Sequence, residues 1–150
     1  MMLTEIFPIL KEPNIITIFV RTILAILCAG AIGYDRGVRG ASAGMRTHII
    51  VCLGAMIAMS TGQYAGLMYG ADVTRIGAQV VSGIGFLGAG SIITDKHKIT
   101  GLTTAAGLWG SACLGLAIGI GFYEGAIIGT IAVYFVERYL RTLSKKTSNN

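Results

Sequence analysis

Long apolar stretches joined by short polar connections dominate this sequence, and they predict a bundle of membrane helices. Five such segments run over residues 15–34, 49–69, 76–93, 99–119 and 125–136. A helix needs about 20 mostly apolar residues to cross a bilayer, and the first four segments come close to that length. The fifth is shorter, and we expect it to extend to Tyr139 by snorkelling of Glu137 and Arg138.

Composition agrees with this pattern. The chain is 53% hydrophobic and 13% charged, with a mean hydropathy of +0.71, whereas soluble domains carry about 25% charged residues. The predicted fold class is therefore all-α, a polytopic membrane helix bundle. We expect one transmembrane domain over residues 1–143 and a short disordered polar tail over residues 144–150. Residues 1–13 form either an interfacial helix or a loose arm, and they lack the basic start of a signal peptide.

The positions of the basic residues predict the orientation of the bundle. With five spans, one side holds nine of them: Arg36, Arg39, Arg46, Lys96, Lys98, Arg138, Arg141, Lys145 and Lys146. The opposite side holds Lys11 and Arg75, and Arg21 lies within the first segment. Positive residues favour the cytoplasm, so we expect the N-terminus outside and the C-terminus inside. An even number of spans would destroy this separation.

Small residues are concentrated in the third and fourth segments. A glycine costs roughly 1 kcal/mol in a soluble helix, but it lets membrane helices approach closely. One side of the third helix would carry Gly77, Ala78, Gly85 and Gly88, and another side Gly83 and Gly90. We therefore expect helical neighbours on both sides. A stripe on the fourth helix consists of Gly101, Ala105, Ala112, Gly115 and Gly119, and its last two glycines form a GxxxG pair.

Sequence motifs for catalysis or metal binding are weak. The stretch 83–88 matches G-x-G-x-x-G, but a dinucleotide site needs a preceding strand and a following helix, and this stretch lies inside a predicted membrane helix. His48 and His97 lack the adjoining carboxylates or cysteines of a metal site. We therefore expect no enzyme activity, no metal and no cofactor. The net charge of +5 lies mostly in the connections between segments, which favours membrane orientation over nucleic-acid binding.

Three groups of polar residues are candidates for a functional site. Arg21 lies about 10 Å inside the first segment at 1.5 Å of rise per residue. Ionisable residues inside a membrane suggest function, although snorkelling or structural pairing would also explain this arginine. Thr103 and Thr104 begin the fourth segment, where they either cap the helix or line a polar entrance.

The first connection is the third group, with Asp35, Arg36 and Arg39 followed by Arg46, Thr47 and His48. It is either an ordinary positive-inside loop or a specific polar site. A carboxylate at a hydrophobic boundary needs a partner to stay charged. We therefore expect Asp35 to pair with an arginine of its own connection.

The sequence resembles the MgtC/SapB family of bacterial inner-membrane proteins. The resemblance is carried by residues 33–36, 43–48, 78–90, 101–106 and 108–109, and the most specific block is AQVVSGIGFLGAG at 78–90. It implies a multi-pass inner-membrane protein linked to growth in low magnesium, to stress and to intracellular survival. It also implies a regulator of other membrane proteins, including the ATP synthase, more than a magnesium transporter.

Two departures from the family pattern matter. The family's usual glutamate at the end of the first span is Asp35 here. Many members carry a soluble C-terminal domain, which we do not expect in this sequence ending at Asn150. The leading hypothesis is a non-enzymatic membrane regulator that binds partner helices, or a second copy of itself as a dimer, through its small-residue faces. The alternative is a magnesium or other ion transporter or channel. Its weakness is that the middle of each segment lacks Asp and Glu, the usual ligands of magnesium.

Overall fold

The structure, a computed structural model, describes residues 10–95 and 98–140. Within these ranges the chain is helical apart from one short hairpin. The helices are α1 (Ile15–Val38), α2 (Met45–Tyr69), α3 (Thr74–Gly90), α4 (Leu102–Ile120) and α5 (Tyr123–Phe135), and a π-helical turn (Val136–Leu140) extends the last one. The hairpin pairs β1 (Ile93–Asp95) with β2 (Lys98–Thr100) in antiparallel register.

Three of the described helices, α1, α2 and α4, are long and apolar enough to cross a membrane. The prediction of a helical membrane protein is confirmed at this level. The other two are shorter, with 17 residues in α3 and 13 in α5. The predicted tail over residues 144–150 lies outside the described residues.

The connection between α3 and α4 corrects the predicted segment bounds. The third apolar segment was expected to continue to Ile93 and the fourth to begin at Ile99, yet both residues lie in the hairpin. Hydropathy alone cannot separate a helix from a strand here, because isoleucine and threonine are equally suited to extended backbone. Gly101 then opens α4 at φ +91°, where a Cβ would collide with the carbonyl oxygen of Ser91.

Local capping explains where the other helices begin and end. The Asn14 side chain accepts a hydrogen bond from the Thr17 N–H at 2.9 Å and so caps α1. Gly70 ends α2 in the left-handed conformation, at φ +65°. Asp72 accepts hydrogen bonds from both the hydroxyl and the N–H of Thr74 at the start of α3, and these bonds lower the pKa of its carboxyl group.

The main hydrophobic cluster lies between α1, α2, α4 and α5. Its buried members are Ala25, Cys28, Ala29, Ile32, Cys52, Met56, Leu114, Ile118, Tyr123 and Ala126. A smaller cluster of Ala55, Ile84 and Ala112 attaches α3 to α2 and α4. Because α3 contributes nothing to the main cluster, it lies at the edge of the bundle.

Close approach of α4 to α2 holds the centre of the bundle together. A Cβ on Gly115 would collide with the carbonyl oxygen of Cys52, and one on Gly119 would lie 2.5 Å from the carbonyl oxygen of Met56. The GxxxG pair therefore packs within the chain, where small residues let two backbones come into contact.

The glycines of α3 divide into packed and exposed positions. Gly77 faces Met59, and Gly88 faces Ala105. Gly83, Gly85 and Gly90 are exposed, and a Cβ on any of them would meet no atom of the described residues within 4 Å. The expectation of a helical neighbour against Gly83 and Gly90 therefore stays a prediction. Gly85 was also grouped with Gly77, but at 100° per residue it lies about 80° away from it.

We expect Gly115→Ala to destabilise the protein and Gly54→Ala to leave its stability equal or higher. The first change forces a methyl group against a backbone oxygen, and overpacking of this kind costs about 1–3 kcal/mol. Gly54 lies on the exposed side of α2 with nothing within 4 Å of an added Cβ, so the change there only improves helix propensity. Thermal unfolding of both purified variants in mild detergent measures the difference. Equal melting temperatures would contradict the proposed contact.

Candidate functional site

Polar side chains meet in two clusters at opposite ends of the bundle. The Arg21 cluster (Arg21, Ser60, Gln63 and Tyr123) joins the start of α1 to the end of α2 and the start of α5. The Arg36 cluster consists of charged and hydroxyl side chains, namely Asp35, Arg36, Arg39, Ser42, Thr104, Glu137 and Arg138. The main hydrophobic cluster lies between them.

Arg21 is fully buried, with 0% of its surface exposed. Its Nε donates to the Tyr123 hydroxyl at 3.1 Å, and its NH1 donates to the Gln63 side-chain oxygen at 2.8 Å and to the Gly119 carbonyl at 2.7 Å. Ser60 Oγ is a further acceptor at 3.2 Å. The snorkelling interpretation is therefore wrong, and structural pairing accounts for this side chain.

The segment before α1 closes the Arg21 cluster. The Tyr123 hydroxyl donates to the Leu10 carbonyl at 3.2 Å, and Gln63 Nε2 donates to the Lys11 carbonyl at 3.0 Å. Among the described residues no carboxylate pairs with Arg21. The partners of the Arg21 guanidinium group in the described part of the chain are thus neutral oxygen atoms.

The Arg36 cluster joins three helices through one guanidinium group. Arg36 NH1 lies 3.0 Å from Glu137 Oε1, and NH2 donates to Thr104 Oγ1 at 2.7 Å. The two charged side chains are only 9% and 10% exposed. The expected snorkelling of Glu137 is wrong, because this carboxylate turns into the bundle to pair with α1.

Asp35 forms the expected ion pair with an arginine of its own connection. Its Oδ1 lies 2.9 Å from Arg39 NH2, and it also lies 3.1 Å from Arg138 NH1 beyond α5. The carboxylate is 9% exposed, whereas Arg138 is more than half exposed. The contact with Arg138 was not anticipated, since 103 residues separate the two.

A cavity of about 880 Å³ opens beside the Arg36 cluster, a size within the usual range for ligand pockets. It is lined by Arg36 and residues 39–42, by Ser91, Ile93 and residues 99–104, and by Val136 and Glu137. Thus the first connection, the hairpin, the start of α4 and the turn after α5 all contribute to one site.

The predicted threonines line this cavity but do not cap α4. No side chain caps the helix, whose N-cap residue is Gly101. Thr103 is exposed to the cavity, and Thr104 is buried as the acceptor of the Arg36 contact. Ser42 Oγ lies 3.4 Å from Thr104 Oγ1 and extends the network to the first connection. The capping interpretation is wrong because glycine already occupies the capping position.

The other residues of the predicted polar site lie in different parts of the structure. Arg46 and Thr47 are exposed at the start of α2, outside the cavity. His48 is fully buried, and its Nε2 would lie 3.5 Å from a Cβ on Gly107. The same Cβ would lie 2.7 Å from Glu137 Oε1, so Gly107 leaves room between these two groups. His97 lies outside the described residues.

Sequence reasoning missed the partners of both arginines. Ser60, Gln63 and Tyr123 are ordinary polar residues near helix ends, and nothing in their local sequence marks them as arginine ligands. Glu137 carried a usable signal, because a carboxylate near the end of an apolar segment needs either water or a cation.

The geometry defines what the Arg36 cluster can bind. Three arginines surround two carboxylates, and each carboxylate already accepts from at least one guanidinium group. Among the described residues no group of three His, Cys, Asp or Glu side chains is arranged to hold a metal ion. The cluster is better suited to an anionic group than to a cation.

We expect Asp35→Asn to reduce stability more than Asp72→Asn. The first change removes the negative charge of a buried side chain that accepts from Arg39 and Arg138, and the loss of charge-assisted hydrogen bonds of this kind costs about 1–3 kcal/mol. Asp72 is exposed, and asparagine retains an oxygen that can accept from Thr74. Thermal unfolding and membrane protein level measure both effects. Equal losses in the two variants would remove the special role of Asp35.

Comparison with known proteins identifies relatives along most of the chain. A profile of the MgtC family matches residues 22–146. The protein named "Putative magnesium transporter YhiD" of Escherichia coli (strain K12) is 40% identical over 136 residues, which cover 87% of this chain and 63% of that protein. "Protein MgtC" of Brucella abortus (strain 2308) is 41% identical over 120 residues, covering 79% of this chain and 49% of that protein.

The chain therefore spans about half to two thirds of the length of these relatives. No solved structure matches the chain. The family profile covers both polar clusters from Thr22 onward, with Arg21 directly before its first residue. On the profile and on these identities, the chain belongs to the MgtC family.

Proposed function

We propose that this protein is a non-enzymatic regulator of other membrane proteins in adaptation to low magnesium or stress. The observation that carries the proposal is the exposed side of α3 that holds Gly83 and Gly90, where an added Cβ would meet no atom of the described residues within 4 Å. Glycine on a lipid-facing helix surface is costly for the helix and useful when another helix packs against it. This surface, defined by Gly83 and Gly90, which lie about 20° apart around the helix, is called the α3 face below.

Magnesium enters the proposal through the relatives. One of them is named a putative magnesium transporter, which supports a link between the family and this ion. Transport by the chain itself is the second candidate. Magnesium is bound mainly through carboxylates and retained waters, but Asp35 and Glu137 are already neutralised by arginines. Arg21 adds a buried positive charge at the other end of the bundle, which opposes the passage of a cation. Regulation is therefore the better supported candidate.

Flux measurement separates the two candidates. We expect liposomes containing the purified protein to take up magnesium no faster than empty liposomes, measured with an enclosed magnesium-sensitive dye. Liposomes with a known magnesium channel give the positive control. Saturable uptake that is lost in the Glu137→Gln variant would overturn the regulator proposal and establish transport.

We propose five spans in the bacterial inner membrane, with the N-terminus outside and the C-terminus in the cytoplasm. The segregation of nine basic residues against two supports this orientation. α3 and α5 would then cross despite their lengths, with the hairpin and the π-helical turn completing the distance.

Reporter fusions at the C-terminus test the topology. We expect a reporter that is active only in the cytoplasm to work, and one that is active only outside to stay silent. The same two reporters fused after Asp72, in the α2–α3 connection, should give the reverse pattern. Activity of the outside reporter at the C-terminus would exclude the proposed orientation.

We further propose that the chain forms a homo-oligomer, most simply a dimer, in the lipid bilayer through the α3 face. The ATP synthase is a candidate partner by family resemblance, and the same face would meet its helices. Gly115, which sequence reasoning placed near the contact, is unavailable for assembly because it packs against Cys52 inside the chain.

Substitutions on the α3 face test assembly. We expect Gly83→Leu to shift the purified protein toward monomer, because a large side chain prevents close approach of two α3 helices. Gly54→Leu is the matched control, since Gly54 is also an exposed helical glycine with no atom of the described residues within 4 Å of an added Cβ. Mass by light scattering in mild detergent and cross-linking in membranes provide the readout. A monomeric unmodified protein in both assays would reject the oligomer, and an oligomer that tolerates Gly83→Leu would reject this face.

A further inference from the structure

We infer that the cavity beside the Arg36 cluster binds a phosphate group, and that the headgroup of an anionic phospholipid is its source. This inference goes beyond the proposed regulation, which concerns the α3 face on another part of the molecule. It rests on four features of the cavity: its charge, its free donors, the helix end that it contains and its apolar rim.

Positive charge exceeds negative charge around the cavity. Arg36 and Arg39 line it together with Glu137, while Asp35 and Arg138 complete the ion pairs behind it. Three guanidinium groups against two carboxylates leave one positive charge in excess. The Glu137 carboxylate would repel an anion, but its Oε1 accepts from Arg36, and that contact reduces the repulsion.

Donors remain unused on the buried arginine. Arg36 has a side chain that is 9% exposed, and a guanidinium group carries five N–H donors. Its contacts to Glu137 and Thr104 involve NH1 and NH2, whereas its Nε has no partner among the described residues. Phosphate oxygens suit such a donor set, because arginine binds phosphate through paired N–H groups.

The start of α4 adds backbone donors to the same cavity. Residues 101–104 all line it, and no side chain in the described part of the chain caps the helix. The N–H groups of a first turn and the helix dipole favour an anion at this position. The Thr103 hydroxyl, which faces the cavity, supplies a further donor.

The rim of the cavity indicates a lipid as the source of the phosphate. Ile93, Ile99, Leu102 and Val136 line the cavity and are each more than half exposed. Acyl chains would cover these side chains while the headgroup enters between the arginines. Basic pockets between membrane helices take anionic headgroups in this way.

A titration of short-chain phosphatidylglycerol into the purified full chain in neutral detergent tests the inference. The readout is the rise in unfolding temperature, since a ligand of the folded state stabilises it according to its saturation. Phosphatidylcholine of the same chain length and inorganic phosphate are the two comparison probes. We expect a saturable rise with phosphatidylglycerol and a much smaller one with phosphatidylcholine.

Charge-matched variants locate the binding site. Thr103→Glu places a carboxylate in the cavity at a helix start, where acidic residues are tolerated, and should raise the half-saturating lipid concentration by about tenfold or more through like-charge repulsion. Thr47→Glu is the control, because Thr47 is an exposed threonine in the first turn of α2 outside the cavity. Its half-saturating concentration should change by less than about twofold, since distant exposed charges are screened.

A second pair of variants tests the same site if Thr103→Glu or Thr47→Glu does not fold. Arg39→Gln should weaken binding, while Arg46→Gln, an exposed arginine outside the cavity, should not. Inorganic phosphate that binds as tightly as the lipid, with the same dependence on Thr103 and Arg39, would support the phosphate site and reassign its source to free phosphate. Absence of saturable binding, equal stabilisation by phosphatidylcholine, or equal effects of each variant and its control would overturn the inference.

Discussion

The close packing of α4 against α2 is the contact on which both polar clusters depend. Gly119 brings its backbone to within contact distance of Met56, and this approach places the Gly119 carbonyl where Arg21 and Ser60 donate to it. Toward the other end of the same helix, Gly107 leaves room for Glu137 and His48. A larger residue at any of these positions would separate the helices and remove hydrogen-bond partners from buried charges. The packing of the helices and the hydrogen bonding of the buried arginines therefore depend on each other.

The two buried arginines of α1, one toward each end of the helix, have hydrogen-bond partners of different charge. Arg36 has a carboxylate partner, and losing one member of such a buried pair leaves an uncompensated charge. The partners of Arg21 among the described residues are neutral oxygens on α2, α4 and α5. The planar guanidinium group can reach several acceptors at once, so each arginine acts as a junction between helices. The hydrophobic cluster between them needs no polar contacts of its own.

Sequence reasoning reached the features that depend on short separations along the chain. The membrane class followed from apolar segment lengths, and the pairing of Asp35 with an arginine of its own connection followed from the position of a carboxylate at a hydrophobic boundary. The Arg36–Glu137 pair joins residues 101 positions apart, and no local pattern specifies which helix ends meet. The hairpin was missed for another reason: isoleucine and threonine raise hydropathy whether the backbone is helical or extended. Glycine periodicity found the packed residues of α4, but it could not distinguish a contact within the chain from one between chains.

The arrangement of charges also bears on the choice between regulation and transport. An alternating-access cycle requires one group of helices to move against another, and here α1 is held to α4 and α5 at both ends by buried arginines. Moving α1 would break the four contacts of Arg21 at one end and the Glu137 and Thr104 contacts of Arg36 at the other. Each exposed donor would then need a new partner in a setting with little water, which is costly. By contrast, α3 lies outside the main cluster and carries none of these contacts. A rigid four-helix core with one peripheral helix is suited to presenting a surface, and this argues for recognition of a partner over movement of a solute.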